Sequence, residues 1–210
     1  MSRLLPELDR IDTVEDPAAV VLVLHGGAKQ SLQPVTHRSL SWQRARFLAK
    51  SLAAGLHEDR VAVHLIRYRV KGWNASPSNE PDPVRDARWA LSTLAQDSSL
   101  PIVIVGHSMG ARTAVAVADH PHVVGVVGLA GWLPADEPVE ALAGKMVIAA
   151  HGRRDRITSF RATRTFIDRA SEVAEAQFID MGHRGHYLLQ GITSWNRLAR
   201  KSIREVLDLH

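Results

Sequence analysis

Six short stretches of this chain are rich in β-branched and other apolar residues, and between most of them the apolar positions fall at helical spacing. The runs are "AAVVLVLHGG" (to Gly27), "RVAVHLIRYR" (to Arg69), "LPIVIVGHS" (to Ser108), "HVVGVVGLAG" (to Gly131), "GKMVIAAHG" (to Gly152) and "EAQFID" (to Asp180). Several are apolar at both odd and even positions, as strands buried on both faces should be. In "SLSWQRARFLAKSLAAGL", Trp42, Ala45, Leu48 and Leu52 make one stripe, with Ser39 or Ser41 as N-cap. "DPVRDARWALSTLAQD" opens with Asp-Pro, and proline suits a first turn. "ARTAVAVADH", "SFRATRTFIDRASEVAEA" and "TSWNRLARKSIREVLDL" complete the helices, the last two with Ser159 and with Thr193 or Ser194 as caps.

Strand and helix alternate, which predicts an α/β fold with a mostly parallel sheet and helices on both faces. No repeat, low-complexity tract or linker interrupts residues 1–210, so one domain is expected. Two loops stand apart. Lys71 to Pro83 is rich in Pro, Asn and Ser, and Trp132 to Gly144 holds at most two helical turns. Neither leaves room for a separate lid.

Composition narrows the options. Apolar residues make up 45% of the chain, as in a globular protein. There is no cysteine, which excludes a disulfide scaffold, a Cys zinc site and a Cys nucleophile. No apolar run reaches the roughly 18 residues a membrane-spanning helix needs, and the charged N-terminal segment lacks a signal-peptide core. A cytoplasmic location is the expectation. The net charge of +4 comes with no aromatic-basic interleaving, so no nucleic-acid partner is expected. His37, His57, His64, His120 and His122 have no metal-ligand spacing. "GVVGLAG" is not the dinucleotide fingerprint, and Gly144-Lys145 is not a P-loop. No metal or cofactor is implied.

In an open parallel sheet, ligands bind beyond the carboxyl ends of the strands. The first strand is followed there by His25-Gly26-Gly27-Ala28, and the third by Gly106-His107-Ser108-Met109-Gly110. Trp132 and Leu133 follow the fourth, and His151 to Asp155 follow the fifth. Met181 to His186 follow the sixth. A serine, a carboxylate and histidines thus reach one edge in chain order Ser, Asp, His.

That order, and G-x-S-x-G set between a strand and a helix, resemble the α/β-hydrolase superfamily over nearly the whole chain. The resemblance implies an α/β-hydrolase fold of about six or seven strands without a lid domain. It is closest to the small lid-free serine hydrolases: carboxylesterases, acyl-thioesterases and dienelactone-hydrolase-like proteins. It also implies roles. Ser108 is the nucleophile, a histidine is the base, and Asp155 in "HGRRD" orients that histidine. The backbone N–H groups of Gly27 and Met109 form the oxyanion hole, with Ala28 as the neighbouring alternative to Gly27. For the base, His186 in "GHYLL" and His183 both follow glycine in the same loop. For the acid, Asp136 or Glu137 is the alternative, and Asp180 reads as a turn residue. His25, His107 and His151 read as packed, hydrogen-bonded residues that shape their loops.

Trp73, Trp132, Leu133 and Tyr187 are the pocket candidates, each with core packing as its plainer role. The implied partner is a small-molecule ester or thioester, cleaved through an acyl-enzyme. Two rivals are a non-catalytic binding protein on the same fold, and acyl transfer or perhydrolysis at the same residues.

Overall fold

Strand β2 (Ala19–Leu24) is buried at all six positions, and so is β4 (Ile102–His107), which pairs with it in parallel. These two strands carry the residues of interest at their carboxyl ends. In the computed structural model, which describes residues 5–209, they lie inside a seven-stranded sheet of order β1-β3-β2-β4-β5-β6-β7. Strands β3 (Val61–Arg67), β5 (Val123–Leu129), β6 (Met146–His151) and β7 (Glu175–Asp180) are parallel to them. The α/β-hydrolase fold expected from the sequence is therefore present.

The seventh strand is one that hydrophobic patterning missed. Strand β1 (Glu7–Arg10) reads ELDR and pairs antiparallel with β3 at the sheet edge. An edge strand shares one ladder only and needs no apolar run. Here Asp12 anchors its exit by accepting from the Val63 N–H at 2.6 Å.

Helices cover both faces. Helix α1 (Leu40–Gly55) and helix α5 (Ile192–Val206) pack together on one face. On the other, α2 (Asp82–Asp97) packs on α3 (Met109–Ala116). Helix α4 (Phe160–Ala170) shares that second face. The register partners Gly128, Ala149 and Phe178 point the same way, Gly128 toward Ala111 of α3 and Phe178 onto Phe160 of α4, with ring centroids 5.0 Å apart. Trp195, Tyr68 and Phe166 are the largest fully buried side chains.

Three helix boundaries differ from expectation. Helix α5 starts at Ile192 behind Gly191 (φ 75°), so neither Thr193 nor Ser194 is its cap. Ser194 instead accepts from Arg184 at 3.0 Å. Helix α4 stops at Ala170 because the chain turns there, the Gly144 N–H bonding Val173 O at 2.9 Å. Helix α3 ends at Ala116 rather than near His120. Ser159 does cap α4, accepting from the Ala162 N–H at 3.1 Å, whereas Ser39 precedes α1 without a capping bond.

Between β5 and β6, residues 130–145 contain a single turn of 3₁₀ helix, Glu140–Leu142, and no inserted lid. Among the described residues, no helix is long and apolar enough to cross a membrane.

Candidate active site

Ser108 joins β4 to α3 at φ 55° and ψ −118°, a region that non-glycine residues seldom occupy. The turn can be this tight because its flanks lack side chains. A β-carbon on Gly106 would fall 2.3 Å from Gly110 O, and one on Gly110 would fall 2.2 Å from Leu24 O. Strand, turn and helix are in backbone contact, as two small residues flanking the serine require. The seryl residue is 7% exposed, and its hydroxyl has no hydrogen-bond partner among the described residues.

The loop after β2 lies against this turn, with the β-carbon position of Gly26 only 3.2 Å from Ser108 Cβ. His25 shapes the loop. Its Nδ1 bonds Gly26 O at 2.7 Å, and its Nε2 accepts from the Tyr68 N–H at 3.3 Å. Burial pushes His25 down to about 4, so it sits there neutral. The Ala28 N–H is committed to Lys71 O at 2.8 Å. The N–H groups of Gly27 and Met109 have no acceptor among the described residues. Met109 is the first residue of α3, where backbone donors are free and the helix dipole favours negative charge.

Asp155 and His186 meet beside the turn. His186 Nδ1 lies 2.8 Å from Asp155 Oδ2, with the Asp155 side chain fully buried and the His186 side chain 6% exposed. His183, the third residue of the same loop after β7, is exposed. Asp155 is held from several sides. Its Oδ1 accepts from the Ile157 and Thr158 N–H groups at 2.8 and 2.9 Å, and its Oδ2 from Thr158 Oγ1 at 2.9 Å. His151 Nε2 lies 3.1 Å from the same Oδ2. Burial opposes ionisation of Asp155, but the donors from His151, His186, Thr158 and Ile157 outweigh it and hold the carboxyl far below the usual carboxylate range. His107 Nε2 donates to the backbone O of His186 at 2.9 Å, tying the histidine loop to the serine turn. Burial, reinforced by the neighbouring His186, pushes His107 down to about 3.

Of the alternative pair Asp136 and Glu137, Glu137 is engaged elsewhere, and so is the turn residue Asp180. Glu137 pairs with Arg112 of α3 at 2.6 Å, and Asp180 accepts from Arg153 at 2.7 Å and from the Gly182 N–H at 2.8 Å. Thr158 escaped sequence reasoning. Only the turn that brings it back over Asp155 gives it a role, although Asp and Thr three residues apart is a spacing such turns use.

The pocket candidates divide. Trp73 (6% exposed) and Leu133 (4%) belong to the buried core, whereas Tyr187 is half exposed. Trp73 and Trp132 meet edge to face at 5.9 Å, and the Arg112 guanidinium lies 4.5 and 4.6 Å from their ring centroids. Tyr187 separates two openings. One, of about 530 Å³, is lined by His186, Arg154, Arg156 and Gln190; the other, of about 490 Å³, by Arg44, Phe47, Leu188 and Ile192. Among the described residues, no three His, Asp or Glu side chains gather as a metal site would need.

A mostly parallel sheet with a strained serine turn at one strand end, and an Asp–His pair at two others, defines an α/β-hydrolase class of protein. The sequence agrees: the model of the Alpha/beta hydrolase family matches residues 20–207, and the chain belongs to that family. Solved structures share the fold at low identity. A lid-free α/β serine hydrolase from Xanthomonas campestris is 15% identical, with a TM-score of 0.67 over 95% of this chain and 88% of that one. A thermophilic esterase from Thermogutta terrifontis is 15% identical, with a TM-score of 0.71 over 96% and 89%. An α/β serine hydrolase homologue from Coxiella burnetii is 16% identical, with a TM-score of 0.67 over 94% and 90%. No curated protein matches the sequence.

Proposed function

We propose that the chain is a serine hydrolase that cleaves a small or medium carboxylic ester or thioester through an acyl-enzyme on Ser108. The observation that carries this reading is the Asp155–His186 pair at 2.8 Å beside a serine held at φ 55°. Asp155 takes the Nδ1–H of His186, which leaves Nε2 as a lone-pair base. That nitrogen accepts the Ser108 proton as Oγ attacks the carbonyl carbon. The carbonyl oxygen becomes an oxyanion, and the free N–H groups of Gly27 and Met109 are the donors available to it. The intermediate collapses with loss of the alkoxide or thiolate, which leaves with the proton held on His186. Water then attacks the acyl-enzyme by the same route and regenerates Ser108. The Thermogutta protein's description as an esterase supports an ester substrate.

A fluorophosphonate probe and p-nitrophenyl esters of graded chain length test the reading. Wild type labels and turns over, Ser108→Ala does neither, and His186→Ala loses several orders of magnitude where His183→Ala loses little. Absence of both labelling and turnover in the wild type sinks it.

A further inference from the structure

Arg44, on α1, is a half-buried cation in an apolar setting. It lines the groove of about 490 Å³ beside Tyr187, the residue next to His186. Its guanidinium carbon lies 4.9 Å from the Tyr187 ring centroid, and its Nε is buried with no acceptor. Among the described residues, no carboxylate pairs with it, although nine other arginines are in such pairs. The rest of the wall is mostly hydrocarbon, with Gln43, Asn196 and the Tyr187 phenol as its neutral polar members. Leu40, Phe47, Leu189 and Ile192 line it while 51–75% of the surface of each stays open to solvent. Burial already lowers the pKa of Arg44, so the chain maintains a desolvated charge here without a partner of its own. It also lies close enough to the centre to act electrostatically on His107, which holds the His186 backbone.

We propose that Arg44 determines specificity by binding a carboxylate carried at the far end of an apolar arm of the ester substrate. The proposal rests on the serine-hydrolase reading above. The two terminal nitrogens, which have no acceptor among the described residues, match a carboxylate in two parallel hydrogen bonds, while the buried Nε stays against the protein. The apolar wall takes the methylenes between that carboxylate and the scissile carbonyl. The preferred substrates are then half-esters and ω-carboxy esters rather than neutral esters. Arg154 and Arg156, exposed across Tyr187, add positive potential that draws an anion to this edge.

The test compares two substrate series on wild type, Arg44→Met and Arg44→Lys. One contains the mono-p-nitrophenyl esters of adipic and suberic acid, each against its methyl-capped neutral form. The other contains acetyl esters of ω-hydroxyalkanoic acids, again against the methyl-capped forms. In one series, wild type prefers the anion by about tenfold or more in kcat/KM. Arg44→Met abolishes that preference, Arg44→Lys restores part of it, and added salt weakens it. Fluorophosphonate labelling of Ser108 in each variant reports an intact site. No anion preference in either series, or a preference that survives Arg44→Met, overturns the proposal while neutral-ester turnover keeps the hydrolase reading alive. Failure of wild type to label or to cleave any ester removes that reading and this inference with it.

Discussion

His151 Nε2 lies 3.1 Å from Asp155 Oδ2, the same oxygen that holds His186 Nδ1 at 2.8 Å. One carboxylate oxygen is therefore shared by two imidazoles and by the Thr158 hydroxyl. His151 is fully buried, and its Nδ1 is 2.9 Å from Thr163 Oγ1. The tautomer that satisfies both contacts carries its proton on Nε2 and accepts from Thr163. His151 is thus a positioning residue that acts through Asp155. His151→Leu should lower kcat/KM about tenfold, and His151→Gln, which can still donate, should recover much of the loss. Recovery by the donating glutamine distinguishes this from plain structural damage, which His151→Gln would not repair.

Ser108 stores backbone strain, which can be measured. A non-glycine residue at φ 55° and ψ −118° carries a strain of order 1–3 kcal/mol. Glycine relieves it, though its larger unfolded-state entropy takes back about 0.5–1 kcal/mol. Ser108→Gly should therefore be more stable than Ser108→Ala by about 1 kcal/mol, and both should be inactive. At this chain length the difference corresponds to about 2–4 °C in Tm. Equal Tm values for the two variants would mean that the turn is not strained.

Much of this arrangement could be read from the sequence because it follows from burial. Strands β2, β4 and β6 are covered on both faces, so they read as unbroken apolar runs, and the residues after them had to share one sheet edge. The limits are physical too. The tetrapeptide ELDR of β1 is stabilised by its ladder to β3, not by hydrophobicity. His183 and His186 both follow glycine, and only the path of the loop puts one against Asp155 and the other in solvent. Ala28 could not be told from Gly27 as a donor, because its N–H is taken by Lys71, far along the chain. Arg44 reads as one more polar position on α1. Its isolation depends on Tyr187 and on the absence of any carboxylate nearby among the described residues.

Two buried neutral histidines make the fold sensitive to acid. Burial lowers His25 to about 4 and His107 to about 3, from the ordinary 6.5. Between those values the unfolded chain binds protons that the folded chain refuses, so stability rises with pH and falls as pH drops below about 6.5. Asp155 adds loss in the same direction at still lower pH, because its folded carboxyl lies far below its unfolded value. At one kcal/mol-scale step of about 1.4 per pH unit, each histidine removes about 2 kcal/mol by about pH 5. Urea midpoints should fall accordingly between about pH 7 and 5, and His25→Gln should flatten the slope. A midpoint that does not change over that range would contradict the buried neutral assignment.

Arg112 and Glu137 form a pair whose members cannot be removed singly. The two are 2.6 Å apart with side chains 19% and 7% exposed, and Arg112 is held between Trp73 and Trp132. Arg112→Met keeps the packing against the indoles but leaves the Glu137 carboxylate buried without its cation. Such orphaned charges cost about 3 kcal/mol or more. Glu137→Gln in the same background removes the charge and should restore most of the stability. A double-mutant cycle by urea denaturation should therefore give a coupling of about 2 kcal/mol, well above the roughly 0.5 kcal/mol that independent sites give. Simple additivity would mean that the carboxylate finds solvent or another donor, and that the Trp73–Arg112–Trp132 stack rests on packing alone.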